Sequence, residues 1–161
     1  MKHILVFTFF ATTFLSCQNR NETQFSLEAL NDELINLQGD SVPFKSILEK
    51  HNGSTIFIDV WASWCRDCLI GLPGVKKLQE TYPEIDFVYL SLDKSKVAWK
   101  RGIDRIQISG EHYFMQSGRK GALGAFLGLD WIPRYLIIDK NGGIKVFNAI
   151  ETTDKKLLNN L

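Results

Sequence analysis

Phe57-Ile58-Asp59-Val60-Trp61-Ala62-Ser63-Trp64-Cys65-Arg66-Asp67-Cys68 decides how this chain is read. Residues 55–61 are rich in β-formers and long enough for a buried central strand. Beyond the second cysteine, Leu72, Val75, Leu78 and Tyr82 recur on one helical face and predict a helix over residues 69–82. A C-x-x-C pair therefore falls where a strand gives way to a helix. Cys65 at the helix N-terminus meets unpaired backbone N–H groups and the positive end of the macrodipole, both of which favour an anion. Comparable sites bring a cysteine pKa from about 8.5 to roughly 3.5–7.5, and the thiolate is the attacking species. Cys68, one turn further in, is expected to be the more buried of the two and to resolve a mixed disulfide.

The cysteine count narrows the chemistry. Of three cysteines, Cys17 ends an apolar N-terminal run and the other two form the pair. None is left for a structural disulfide or a four-cysteine zinc site, so the pair bonds to itself or to a client. The 161 residues suffice for one compact domain. With 19 basic and 18 acidic residues the chain is close to neutral, which argues against nucleic acid or an acidic membrane surface as the main partner.

Outward from the dithiol, the pattern alternates. Residues 25–30 and 34–37 flank the turn-prone Asn31-Asp32 and predict a small β-hairpin. Ser41 and Pro43 suit the start of a helix reaching His51, stopped by Asn52-Gly53. Residues 85–92 read as a strand, 94–106 as an exposed helix, 112–115 as a short strand and 121–127 as a helix weakened by glycine. Strands at 135–138 and 144–147 form a hairpin across Lys140-Asn141-Gly142-Gly143, and a helix over 153–160 closes the chain. The expected fold is α/β, a central mixed sheet with helices on both faces plus the N-terminal β-hairpin.

The N-terminus reads as an address. Lys2 and His3 precede an apolar run over residues 4–15 and then Ser16-Cys17, the pattern of a secretory signal at 1–16. The run is shorter than the roughly 20 residues a membrane span needs. Leu15-Ser16-Cys17 resembles a bacterial lipoprotein box, with Phe14 where that box usually has Leu. Lipidation at Cys17 is therefore expected, with residues 17–24 as a polar tether and 25–161 as the domain. An uncleaved anchor, or a plain signal with Cys17 as a spare thiol, is the alternative. Export places the domain where disulfide chemistry persists.

The surroundings of the dithiol resemble the thioredoxin family. The run from Phe57 to Cys65 matches its strand-to-active-site segment, Pro73 its helix-kinking proline, Ile132-Pro133 its cis-proline dipeptide, and Gly142-Gly143 its C-terminal hairpin glycines. The resemblance covers residues 55–161. The signal and N-terminal hairpin point to the TlpA/ResA-type membrane-associated proteins. By that resemblance the fold is the thioredoxin fold and the activity thiol–disulfide exchange. Asp59 matches the buried acid that helps Cys68 lose its proton. A second reading makes it a structural, hydrogen-bonded strand-end residue. Tyr89 stands where thioredoxin often has a lysine beside that acid. Ile132, preceding a cis Pro133, is expected to pair with client backbone, with Trp64 at the same surface. Arg134 replaces the usual Thr and is expected to add positive charge beside the site. Arg66 favours thiolate at Cys65 and Asp67 opposes it.

Trp61 and Trp64 are expected to pack around the site, and His51 and His112 to be surface or core residues. The family implies reduction of disulfides in exported proteins by a monomer that needs no cofactor and takes electrons from a membrane thiol-redox partner. Two alternatives stand beside it. One is a copper-binding or delivery module using Cys65, Cys68 and a histidine such as His112, and the other is a disulfide-forming oxidase. A peroxidase would need a Thr-x-x-Cys motif, which is absent from the sequence.

Overall fold

The structure, a computed structural model, describes residues 22–161. The expected signal peptide, Cys17 and most of the tether lie outside the described residues. The carbonyl of Thr23 accepts the Ile144 N–H, so the chain already lies against the sheet before the expected domain start at Phe25.

Seven strands form one sheet among the described residues: β1 (Glu33–Ile35), β2 (Ser41–Pro43), β3 (Ile56–Trp61), β4 (Asp86–Ser91), β5 (Glu111–Phe114), β6 (Arg134–Ile138) and β7 (Ile144–Ala149). Their order is β2-β1-β5-β4-β3-β6-β7. β3, β4 and β5 run parallel, and the other pairings are antiparallel. All six residues of β3 are buried. Because successive side chains of a strand point to opposite faces, this central strand is covered on both.

The helices are α1 (Leu27–Leu30), α2 (Phe44–Lys50), α3 (Arg66–Thr81), α4 (Lys96–Ile106), α5 (Ala122–Phe126) and α6 (Lys155–Leu158). Two glycines show where α3 and α4 lie. A side chain on Gly71 of α3 would meet the Tyr135 hydroxyl at 2.7 Å, and one on Gly102 of α4 would meet Ser63 at 2.6 Å and the Trp61 ring at 3.2 Å. Tyr135 is the cross-strand partner of Asp59, and Asp59 and Trp61 are two residues apart on β3. Both helices therefore pack on the sheet face that carries Asp59. Elsewhere Phe25, Phe44, Phe126 and Phe147 meet edge-to-face or tilted, with ring centroids 4.9–5.7 Å apart, and tie the N-terminal segment, α2, α5 and β7 together.

Two expectations of the fold are corrected. The N-terminal hairpin exists, but it pairs residues 33–35 with 41–43, and residues 27–30 form a helical turn. The Ser26 hydroxyl accepts the Ala29 N–H and caps that turn, a local bond that competes with strand formation. Asn31-Asp32 is a turn, as its composition suggests, but it links helix to strand. The closing helix also spans less than expected, 155–158 rather than 153–160.

Candidate active site

The chain leaves β3 at Trp61 and enters α3 at Arg66, with Cys65 as N-cap. The sulfur of Cys65 accepts the Cys68 N–H at 3.1 Å, so one of the orphan donors of the helix start is aimed at it. Cys65 and Cys68 are joined as a disulfide with Cα atoms 5.3 Å apart. The Ile132–Pro133 bond is cis, and the Ile132 carbonyl oxygen stands 3.6 Å from the Cys65 sulfur. The two cysteines are buried alike, 5% exposed for Cys65 and 7% for Cys68, which corrects the expectation that Cys68 is the deeper. The cover over Cys65 comes from the Ile132-Pro133 loop, which sequence spacing alone does not bring near.

The loop before the dithiol is held from two sides. Asp93 accepts hydrogen bonds from the Ser63 backbone N–H and hydroxyl and from the Ser91 hydroxyl. Arg105 donates to the Ser63 carbonyl. Neither residue stood out in the sequence, since both lie in elements remote from the cysteines.

Asp59 is the second titratable feature. It is 6% exposed, its Oδ1 has no hydrogen-bond partner, and burial pushes its pKa from 3.8 up to about 8. Tyr89 and Tyr135 flank it in register on β4 and β6. Burial, and then the Asp59 charge, raise the pKa of both tyrosines. Cys68 is one helical turn before Gly71, the α3 residue seated on Tyr135, so it lies on the side of α3 that faces this row.

Trp64, next to Cys65, is 53% exposed, whereas Trp61 is buried. Arg66 and Asp67 are both exposed on the first turn of α3. Beside them is a groove of about 500 Å³ lined by Asp67, Ile70, Trp131, Pro133, Tyr135 and Ile150, among others. Trp131, Ile70 and Ile150 are 56%, 65% and 49% exposed. Sequence reasoning missed this groove. Trp131 next to Ile132-Pro133 was the one available signal.

Arg134 does not add charge beside the dithiol. It is buried, donates to the Leu127 carbonyl and pairs with Asp130 at 3.2 Å. On a strand whose Tyr135 faces α3, its predecessor must face the other way. The histidines are also engaged away from the sulfurs. His51 bonds Asp86 at 2.8 Å, and Asp86 is the partner of Ile56 at the far end of β3. His112 stacks on Tyr89 with ring centroids 4.8 Å apart. Among the described residues no group of three or more His, Cys, Asp or Glu is placed to hold a metal ion.

This fold with a dithiol against a cis proline defines one class of protein, the thioredoxin-fold thiol–disulfide oxidoreductases. Residues 53–144 match the family model described as thioredoxin-like. The chain is 23% identical over 128 residues to the thiol-disulfide oxidoreductase ResA of Bacillus thuringiensis, covering 78% of this chain and 70% of that one. A solution structure from Bacteroides vulgatus, provisionally described as a thiol-disulfide oxidoreductase, is 32% identical with a TM-score of 0.67, covering 83% of this chain and 85% of that one. A Chlorobium tepidum structure, provisionally described as the thiol:disulfide interchange protein DsbE, shares the fold at 22% identity and a TM-score of 0.66, covering 84% of this chain and 90% of that one. The chain belongs to the thioredoxin-like family, as a thiol–disulfide oxidoreductase of the TlpA/ResA type.

Proposed function

We propose that the reduced chain transfers two electrons to disulfides of exported proteins through Cys65 and Cys68. The Cys65 thiolate attacks one client sulfur, forming a mixed disulfide and releasing the other client sulfur as a thiolate that takes up a proton. Cys68 then gives its proton to the Asp59 carboxylate, and its sulfur attacks the Cys65 sulfur. The mixed disulfide breaks, the Cys65–Cys68 disulfide forms, and the second client thiolate leaves. The pair is oxidised and the client reduced. Ile132 pairs with client backbone, Pro133 and Trp64 border the reacting sulfurs, and Arg66 and Asp67 tune the Cys65 thiolate.

The observation that carries this reading is the Cys65 sulfur on the α3 N-terminus, 3.6 Å from the Ile132 carbonyl. The resolving step draws support from Asp59, because a buried acid with a pKa near 8 and an unpartnered oxygen suits a proton acceptor for Cys68. The signal at 1–16 and lipidation of Cys17 would hold a monomeric domain on the outer side of a membrane, where a membrane thiol-redox partner resupplies electrons. No helix among the described residues is long and apolar enough to cross a membrane.

Insulin reduction with dithiothreitol tests the exchange. The wild type is expected to accelerate it and the Cys65→Ser variant to match the uncatalysed rate; equal rates for the two overturn the reading. Labelling with a radioactive fatty acid, lost in Cys17→Ser, tests the anchor.

A further inference from the structure

The near-neutral charge of the chain conceals an asymmetry. Five of its 19 cations, Lys94, Lys96, Lys100, Arg101 and Arg105, fall within twelve consecutive residues that contain a single acid, Asp104. α4 buries Trp99, Gly102 and Ile106 against the sheet, and all five cations are exposed. None of the five forms an ion pair among the described residues. Lys96 and Lys100, and likewise Arg101 and Arg105, stand four residues apart, a spacing at which like charges repel on a helix. Only Arg105 has a hydrogen bond that uses its charge within the fold, to the Ser63 carbonyl; among the described residues the other four show no ion pair that offsets the repulsion.

The position of the charge gives it a use. Ser63, Ala98, Arg101, Gly102 and Arg105 line a groove of about 390 Å³. Ser63 is two residues before Cys65, and the close seating of Gly102 on Ser63 and the Arg105 bond to the Ser63 carbonyl hold α4 at a set distance from the reactive loop. The exposed Arg66 stands on the first turn of α3, adjacent to Cys65. The Arg101–Arg105 side of the cationic face thus packs beside the loop that leads to Cys65, whereas the apolar groove of Trp131 and Ile150 is lined by other segments.

We propose that the exposed cationic face of α4, centred on Lys100 and Arg101, is a docking surface for an acidic segment of the protein that exchanges electrons with Cys65. The inference rests on the exchange chemistry proposed above and adds the chemical class of the partner. Charge complementarity selects an acidic polypeptide, since such a surface steers encounter and fixes orientation. A bilayer resting on the same face would crowd the route by which a protein reaches Cys65.

The test uses the full chain and two short disulfide-bonded peptides, one with Asp and Glu flanking the disulfide and one with Lys in the same places. Hydroxyethyl disulfide, which is uncharged, serves as the reference substrate. The wild type is expected to reduce the acidic peptide about tenfold faster than the basic one at low ionic strength, with the preference collapsing in 0.5 M salt at a Debye length of about 4 Å. In Lys100→Glu/Arg101→Glu the acidic-to-basic ratio is expected to fall to one or invert. A wild-type ratio near one, or a ratio unchanged in the double variant, overturns the docking surface. If the double variant loses retention on phosphatidylserine vesicles while its peptide ratio stays that of the wild type, the occupant is a bilayer and the proposal also fails. Failure of the wild type on hydroxyethyl disulfide would instead strike the exchange chemistry itself.

Discussion

Two buried titratable groups, His51 at the C-cap of α2 and Asp59 on β3, meet different surroundings. At the starting end of β3 and β4, His51 is 9% exposed and is met by Asp86 at 2.8 Å and Glu111 at 3.4 Å. Lys50 and the Tyr113 hydroxyl also bond Glu111, and together with His51 they hold its carboxyl below the usual range despite burial. Further along, Asp59 is equally hidden and has an oxygen with no partner at all, so burial alone governs it. A buried polar group tied to a partner, as His51 Nδ1 is to Asp86, holds a fold together; a buried carboxyl oxygen without one costs stability and is free to move a proton. The difference separates architecture from chemistry within one fold.

That contrast can be broken most sharply at the dithiol that Asp59 serves. Cys68→Ser is expected to stall as a mixed disulfide on Cys65 after a single turnover, so that multiple-turnover insulin reduction falls to background. A non-reducing gel of cell extract should show the trapped adducts, and their absence would remove Cys68 from the resolving role. Next in size, Asp59→Asn is expected to slow resolution by about 100-fold, in the range of a lost general base. The wild-type rate should rise with pH through about 8 and the variant should lack that limb. Stability moves the other way. The folded chain keeps the Asp59 proton up to about pH 8, whereas an unfolded aspartate releases it near 3.8. Folding therefore takes up a proton between those values, and wild-type stability falls as pH rises through that window. Urea unfolding of the Asn variant across pH 4–9 should show a shallower decline; an identical slope would contradict the burial argument.

Smaller effects sharpen the comparison. Trp131→Ala is expected to lower kcat/KM for a peptide client about fivefold, equivalent to about 1 kcal/mol of lost contact. The same change should leave unfolding nearly unaffected, because Trp131 is 56% exposed. His51→Ala is expected to destabilise the fold by about 1–2 kcal/mol, as a partly buried hydrogen bond is lost and Asp86 is left unpaired. Insulin reduction should stay within twofold of wild type, and a larger loss would tie the two ends of the sheet together functionally.

How far the chain could be read in advance follows from the range of the forces involved. β3 and α3 were legible because β-branched runs and helical periodicity act over a few residues, and both elements lie within a residue or three of where they were expected. The N-terminal hairpin was misplaced because Ser26 caps a helical turn, a bond indistinguishable in sequence from a strand's polar alternation. Arg134 was misjudged for a related reason. Adjacency to Pro133 says nothing about which sheet face it takes, and there it meets Asp130 and the Leu127 carbonyl. The apolar groove was invisible, since Ile70, Trp131 and Ile150 come from three separate segments. Nor could composition foresee the cationic face, because a near-neutral total averages over it.

The order of residues along the chain determined by itself that a C-x-x-C pair would stand between a strand and a helix, because capping and periodicity are local. Tertiary structure alone decided what surrounds the pair. Ile132 lies 67 positions from Cys65 yet covers its sulfur, and Tyr89 and Tyr135 enclose Asp59 from neighbouring strands. Burial and the absence of a partner, which set the Asp59 proton, are properties of packing between distant segments, and no short stretch of sequence contains them.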